Sequence, residues 1–105
     1  MRIGLIGGLD RNRTVLQALA HSHGHVLELH TGVMAGPSAA NGLRALVQRA
    51  DLIIVLTDVN SHNAVKTARA EARRWHRPLR ILRRMGPSQF SAWLGVLPPQ
   101  AVQAA

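Results

Sequence analysis

The amino-acid sequence predicts an α/β fold, with a small four-stranded parallel sheet and helices on both faces. The first observation is an unbroken apolar run, Leu52–Leu56, which lies between two helical patterns and includes three β-branched residues. A run this short is typical of a strand buried on both faces, as in parallel sheets. The second observation is that similar short runs alternate with segments of helical periodicity, the order of repeated β-α units.

The first half of the chain predicts two strands and two helices. A strand at Arg2–Gly8 ends in a glycine pair, and Asn12 or Thr14 can cap the following helix. Gly24 closes the turn into a second strand, His25–His30. A long loop is predicted from Thr31 to about Asn41, and long loops in compact domains often bind ligands. The second helix follows, with an inward face at i, i+3, i+4, i+7 spacing: Leu43, Leu46, Val47 and Ala50.

The second half adds the central strand, a further strand and two helices. Asn60 or Ser61 can cap the third helix, whose predicted inward residues are Ala64, Val65, Ala68, Ala72 and Trp75. The fourth strand, Pro78–Arg84, is rich in arginine, which favours an edge position. Pro87-Ser88 can start a last helix that ends before Pro98-Pro99. Residues 1–97 therefore form one predicted domain, and residues 98–105 a C-terminal tail.

Topology brings several polar motifs to one edge of the predicted sheet. Right-handed crossovers favour the strand order 2-1-3-4, a flavodoxin-like or Rossmann-like arrangement. Ligands in such sheets bind outside the carboxyl ends of the strands, at the point where the strand order reverses. Gly7-Gly8, His30 and the cluster Thr57, Asp58, Asn60, Ser61 and His62 all lie at that edge.

Composition limits the possible function classes. The chain has no cysteine, so disulfides and thiolate ligands are excluded. No apolar run reaches membrane-spanning length and no signal peptide is visible, so we expect a cytoplasmic protein. Thirteen Lys and Arg against five Asp and Glu give a formal charge of +8, which keeps nucleic acid as a possible partner. Aromatic residues for stacking single-stranded bases are few.

His30 and His62 are the strongest candidates for a site. Each follows a predicted buried strand, and two steps of ~4.8 Å between strands would let both imidazoles reach one object. Neutral imidazole is a common ligand of iron and zinc. Asp58 can be a third ligand, and Asp58 and Ser61 are expected to fix the His62 ring. The alternatives are that His30 bonds to the backbone in its loop and that His62 is an exposed helix-start residue.

Other motifs give weaker signals. Gly7-Gly8 lacks the spacing of the dinucleotide fingerprint, so it either presents backbone N–H groups to an anion or makes a tight turn only. The tract His21-Ser-His23-Gly-His25 resembles a metal-binding sequence but lies at the opposite end of the sheet. His76 complements the dipole at a helix end. No Ser–His–acid arrangement or cysteine nucleophile is present, so a non-enzymatic protein is more expected than an enzyme.

Several short motifs together resemble a known bacterial family. They are Gly7-Gly8, Gly24, His30-Thr-Gly32, Ala50-Asp51, Thr57-Asp58 and Ser61-His62, followed by Ala64 and Lys66. In order and spacing they resemble domain of unknown function 2325, over about residues 2–85. The resemblance implies histidine-ligated haem in a dimer and assigns the iron ligands to His30 and His62. Haem iron accepts two axial imidazoles, and Arg83 or Arg84 can pair with the propionates.

Three functional hypotheses follow. The leading one is a non-enzymatic haem-binding protein that senses haem or a gas. The second is a module that binds a phosphate-bearing ligand or nucleic acid through Gly7-Gly8 and its arginines. The third is a non-haem metal site of His30, His62 and Asp58. A homodimer is also expected, because the domain is too small to bury all of Trp75, Phe90, Trp93 and Leu94.

Overall fold

The computed structural model describes residues 1–8, 12–58 and 60–97, which form four strands and four helices. In chain order these are β1 Arg2–Ile6, α1 Arg13–Ser22, β2 Val26–His30, α2 Pro37–Arg49, β3 Leu52–Leu56, α3 His62–Arg74, β4 Leu79–Leu82 and α4 Pro87–Gly95. All pairings are parallel and the strand order is β2-β1-β3-β4. The predicted fold class and strand order are confirmed. The predicted C-terminal tail, 98–105, lies outside the described residues.

The core has two layers, one on each face of the sheet. Every residue of β3 is buried, as its continuous apolar run predicts. Alternate strand residues such as Leu5 and Ile54 pack with α1 and α4, and Ile6 and Ile53 pack with α2 and α3. Because all strands run in parallel, their carboxyl ends meet at one edge, where the polar segments lie.

The close approach of α2 to β1 depends on Gly4. A Cβ atom at this position would overlap the side chain of Leu46 and lie 3.3 Å from the Cβ of Ala50. Gly4 is buried in the middle of a strand, where glycine ordinarily weakens the sheet. Its role here is to leave room for a helix rather than to bend the strand.

The connection between β2 and α2 is shorter than the sequence predicted. The helix begins at Pro37, several residues before the predicted start, so the loop covers only residues 31–36. Proline fits the first turn of a helix because its fixed φ suits the helix and its missing N–H would have no partner there. The prediction ended this loop near Asn41, but residues 37–41 belong to the helix, whose predicted inward residues Leu43, Leu46 and Val47 are buried.

The inward face of α3 also differs from the prediction. Glu71 is buried and Trp75 is 41% exposed, whereas the sequence placed Trp75 in the core. The indole Nε1 of Trp75 donates to Glu71 Oε2 at 2.8 Å, and Arg44 and Arg74 lie within ion-pair distance of the same carboxylate. A buried carboxylate with these partners is tolerated, and the large indole stays at the surface.

The apolar residues of α4 do not form the exposed patch that motivated the homodimer. Phe90 and Leu94 are buried in the chain's own core, Trp93 stacks on Phe90 at a centroid distance of 5.7 Å, and only Trp75 is well exposed. The expectation was that the domain is too small to bury Phe90 and Leu94 together with the two tryptophans. It was wrong for Phe90 and Leu94. The homodimer itself stays a prediction.

The amino edge of the sheet is held by ion pairs. Glu28 on β2 accepts hydrogen bonds from Arg49 at 2.6 Å and from Arg2, which joins β1, β2 and α2. The hydrogen bond from Arg49 lowers the pKa of the Glu28 carboxyl, and the charge of Arg2 acts in the same direction. Because the pKa of Glu28 in the folded state lies below its ordinary value, this network stabilises the fold at pH values above that ordinary value. Its contribution is lost as the pH falls through the lowered pKa.

Candidate ligand cleft at the carboxyl edge of the sheet

An open cleft of about 440 Å³ lies at the carboxyl edge of the sheet. One wall is the loop after β2 and the other is the start of α3, with the lining residues Thr31, Gly32, Val33, Met34, Ala35, Asn60 and Ser61. These two loops follow the strands on either side of β1, where the strand order reverses. The cleft thus lies at the position where open α/β sheets bind ligands.

Asn60 ties the ends of two strands together at the floor of the cleft. Its Nδ2 donates to the carbonyl oxygens of Ile6 at 3.2 Å and Leu56 at 2.7 Å, the last residues of β1 and β3. Its Oδ1 accepts from the N–H of Ser61 at 2.9 Å. One amide side chain therefore satisfies three backbone groups that the strand ends and the helix start would leave without partners.

Gly32 packs directly against Asn60. A Cβ atom at Gly32 would overlap Asn60 Oδ1 and lie 3.4 Å from its Cα. The backbone of Gly32 also has a φ of +87°, in the left-handed region that favours glycine. Two independent constraints thus require glycine here, and they bring the loop after β2 onto the start of α3.

Both ring nitrogens of His30 are engaged within the protein. Nδ1 accepts from the N–H of Gly32 at 2.9 Å, so the proton lies on Nε2, which donates to the carbonyl oxygen of Ala39 at 3.0 Å. His30 thereby connects the end of β2, the loop and the first turn of α2. This matches the alternative reading of His30 as a loop histidine bonded to the backbone, and a metal could bind its ring only by replacing one of these bonds.

His62 is in the opposite situation. It is exposed at the first position of α3, and its ring has no hydrogen-bond partner among the described residues. Ser61, one of the two predicted cap candidates, caps α3, because its Oγ accepts from the N–H of Ala64 at 3.0 Å. The expectation that Ser61 and Asp58 fix the His62 ring was wrong, since both side chains have other partners.

Asp58 pairs with arginines of the neighbouring segment. Its carboxylate lies 3.4 Å from Arg83 Nε and 3.5 Å from Arg84 Nε. Both arginine side chains are largely exposed, at 80% and 77%. The structure therefore joins Asp58, Arg83 and Arg84, but it does not join Asp58 to the two histidines. Within the described part of the chain no three His, Cys, Asp or Glu side chains are grouped as metal ligands.

The glycine pair after β1 has the backbone of a special turn. Gly7 and Gly8 have φ values of +96° and +93°. The N–H of Gly7 donates to the carbonyl oxygen of His30 at 2.8 Å and extends the pairing of β1 with β2. This donor is therefore not free for an anion, which supports the tight-turn reading for Gly7.

The histidine tract at the opposite end of the sheet does not gather its imidazoles. His25 is buried and its Nδ1 lies 2.8 Å from the amino group of Met1. His23 Nδ1 lies 3.0 Å from the carbonyl oxygen of Leu19, and His21 is exposed on α1. His76 has a φ of +55° after the end of α3, which gives it a turn-forming role rather than only the predicted dipole role.

A comparison with protein-family models identifies the chain. The model described as "Uncharacterized protein conserved in bacteria (DUF2325)" matches residues 2–96. The chain belongs to the DUF2325 family. The match extends beyond the predicted limit near residue 85 and includes α4 of this DUF2325 domain. Searches of curated proteins and of solved structures found no match. No helix in the described part is both long and apolar enough to cross a membrane.

The sequence placed its candidate site at the edge of the sheet where the cleft lies, but it did not identify the contacts that shape the cleft. The prediction includes Asn60 in the polar cluster and as a possible helix cap, but not as a partner of Ile6 and Leu56, and it does not single out Val33 or Met34 within the loop. One signal could have found these contacts. Gly32 follows β2 by two residues and Asn60 follows β3 by four, and both strands lie beside β1, where the strand order reverses.

Proposed function

We propose that this DUF2325 domain binds a small phosphate-bearing ligand in the cleft between the loop after β2 and the start of α3. The observation that carries the proposal is that the N-cap residue of α3, Ser61, lines a cleft at the reversal of strand order. The first N–H groups of a helix have no intrahelical partner and favour a negative charge. Val33 and Met34 offer an apolar wall for the rest of such a ligand.

The lining favours binding over catalysis. Its side chains are aliphatic, hydroxyl, amide or thioether groups, and none of the residues that line the described cleft titrates near neutral pH. General acid–base work needs a titratable group within hydrogen-bond reach of the reacting atoms. A regulatory module that senses a metabolite needs only shape, a few hydrogen bonds and a preformed pocket.

Filling the cleft is the direct test. Val33 is 61% exposed in the cleft wall, so Val33→Trp should block the cleft without disturbing the core. We expect it to weaken binding of ADP by about tenfold or more, equal to about 1.4 kcal/mol, as measured by calorimetric titration. ADP is the probe because it combines phosphates with a flat aromatic base whose faces can pack on an apolar wall, and inorganic phosphate alone should bind more weakly at the same place.

Val96→Trp is the matched control, since Val96 is an exposed valine away from the cleft. It should leave ADP binding unchanged. Equal affinities for both variants, or no ADP binding by the parent protein at millimolar concentration, would rule out this site.

Haem binding is the second candidate, and the observation that favours it is the free ring of His62. An exposed imidazole without a partner can ligate iron at no cost in protein hydrogen bonds. The largely exposed guanidiniums of Arg83 and Arg84 can turn toward propionates, although Asp58 holds them in part. In this form of the proposal His62 is the ligand, His30 keeps its backbone bonds, and a second copy of the chain supplies a further wall.

A haemin titration tests this candidate. We expect a sharpened, shifted Soret absorption band with the parent protein and a spectrum close to free haemin with His62→Ala. His21→Ala is the control, because His21 is an exposed histidine at the other end of the sheet. If the His62 variant binds haemin as the parent does, His62 is not the ligand, and sedimentation with haemin would separately show whether a dimer forms.

A further inference from the structure

The outer face of α3 carries a continuous line of cationic and imidazole side chains. His62, Lys66, Arg69 and Arg73 follow one another at i, i+4, i+7 and i+11, so they lie on one stripe of the helix. All are exposed, and the buried residues Ala64, Ala68 and Ala72 lie on the opposite side. We name these four residues the α3 stripe. It extends over about 16 Å at a rise of ~1.5 Å per residue.

No carboxylate among the described residues neutralises this stripe. Each carboxylate in the described part of the chain has another partner: Glu28 with Arg2 and Arg49, Asp51 with the N–H of Arg2, Asp58 with Arg83 and Arg84, and Glu71 with Trp75 and nearby arginines. The fifth acid, Asp10, lies outside the described residues. Lys66, Arg69 and Arg73 form no ion pair with any described carboxylate.

An ordinary solvated helix face has a different pattern. Exposed helices usually alternate charge sign at i, i+4, because opposite pairs stabilise the helix and like pairs destabilise it. The one acidic residue of α3, Glu71, is buried on the inner side. The stripe therefore places like charges side by side at a cost to the free helix, which an anionic partner would remove.

We infer that the α3 stripe binds the phosphate backbone of a nucleic acid duplex. A duplex presents regularly spaced phosphates at a rise of 3.4 Å per base pair, so the stripe matches about five base-pair steps. Single strands need aromatic platforms, and the nearest indole, Trp75, is covered by the Arg74 guanidinium at 5.5 Å and bonded to Glu71. The contacts are to backbone only, so binding is independent of sequence.

The test measures salt dependence with a charge-matched control. Arg69→Gln/Arg73→Gln and Arg13→Gln/Arg80→Gln each remove two positive charges from exposed arginines, but only the first pair lies on the stripe. Binding of a fluorescent mixed-sequence DNA duplex is followed by anisotropy between about 50 and about 200 mM salt. The slope of log K against log salt should fall by about 1.8 for the stripe variant, at 0.9 per lost phosphate contact, and should stay unchanged for the control.

Three results would overturn the inference. They are no duplex binding by the parent protein at about 50 mM salt, an equal loss in both variants, or stripe-dependent binding to phosphatidylserine vesicles without duplex binding. The last result would assign the stripe to a membrane surface. Val33→Trp should leave duplex binding intact, so failure of the cleft proposal and failure of this one are distinguishable.

Discussion

Replacing Asn60 with aspartate should lower the free energy of unfolding by about 2–4 kcal/mol, although the two side chains have nearly the same shape. The Nδ2 group donates to the carbonyl oxygens of Ile6 and Leu56, and a carboxylate oxygen in its place would face both carbonyls without a hydrogen. Urea unfolding at neutral pH measures the loss. The loss should shrink at low pH, since a protonated carboxyl regains one donor.

Asn63→Asp is the control for this substitution. Asn63 is exposed in the first turn of α3, where a negative charge interacts favourably with the helix dipole by about 0.3–1 kcal/mol. It should therefore leave the protein as stable as before or slightly more so. An Asn60→Asp protein with parent stability would show that the two carbonyl bonds contribute little, and the loop after β2 would need another explanation for its position.

The sheet could be predicted from the sequence because its signals are local. Leu52–Leu56 is apolar without interruption, and the structure buries all five residues. The strand order followed from parallel pairing and the handedness of crossovers, which hold for nearly all such sheets. The cap was narrowed to Asn60 or Ser61 for the same reason, since a capping side chain acts within three residues of its own position, and the structure shows that it is Ser61.

The cleft could not be predicted because its key contacts join distant parts of the chain. His30 bonds to Ala39, which lies within the predicted loop but belongs to the first turn of α2. Asn60 bonds to Ile6, 54 residues away, and its neighbour Gly32 is significant only because the two loops meet. Periodicity likewise could not place Glu71 inside and Trp75 outside, because it does not show the hydrogen bond between them or the arginines near the Glu71 carboxylate.

His30 and His62 have different roles for a physical reason that the sequence does not show. The sequence places both at the carboxyl edge, which is correct, but it does not show which atoms their rings meet. His30 has a donor and an acceptor at bonding distance on either side, and His62 points from a helix start into solvent. Position at the carboxyl edge therefore gave a candidate site, and only the side-chain partners distinguish the hydrogen-bonded His30 from His62, whose ring has no partner among the described residues.

His30→Phe should lower the free energy of unfolding by about 2–3 kcal/mol, and His62→Phe should change it by less than about 0.5 kcal/mol. Phenylalanine keeps the ring but can neither accept from the N–H of Gly32 nor donate to the carbonyl of Ala39. Those two groups would lose their partners, and the loop that forms one wall of the cleft would lose its connection to α2. Urea unfolding of both variants gives the comparison directly.

The same two phenylalanine variants also test whether His30 has a structural role only or is an iron ligand. If His30 only holds the loop, its phenylalanine variant should still shift the haemin spectrum at a temperature where it is folded, and its ADP affinity should fall because the cleft wall loosens. If His30 is an iron ligand, the folded phenylalanine variant should give a haemin spectrum that differs from that of the parent, whatever its loss of stability. Equal stability losses at positions 30 and 62 would contradict the hydrogen-bond geometry, because only one of the two rings has partners to lose.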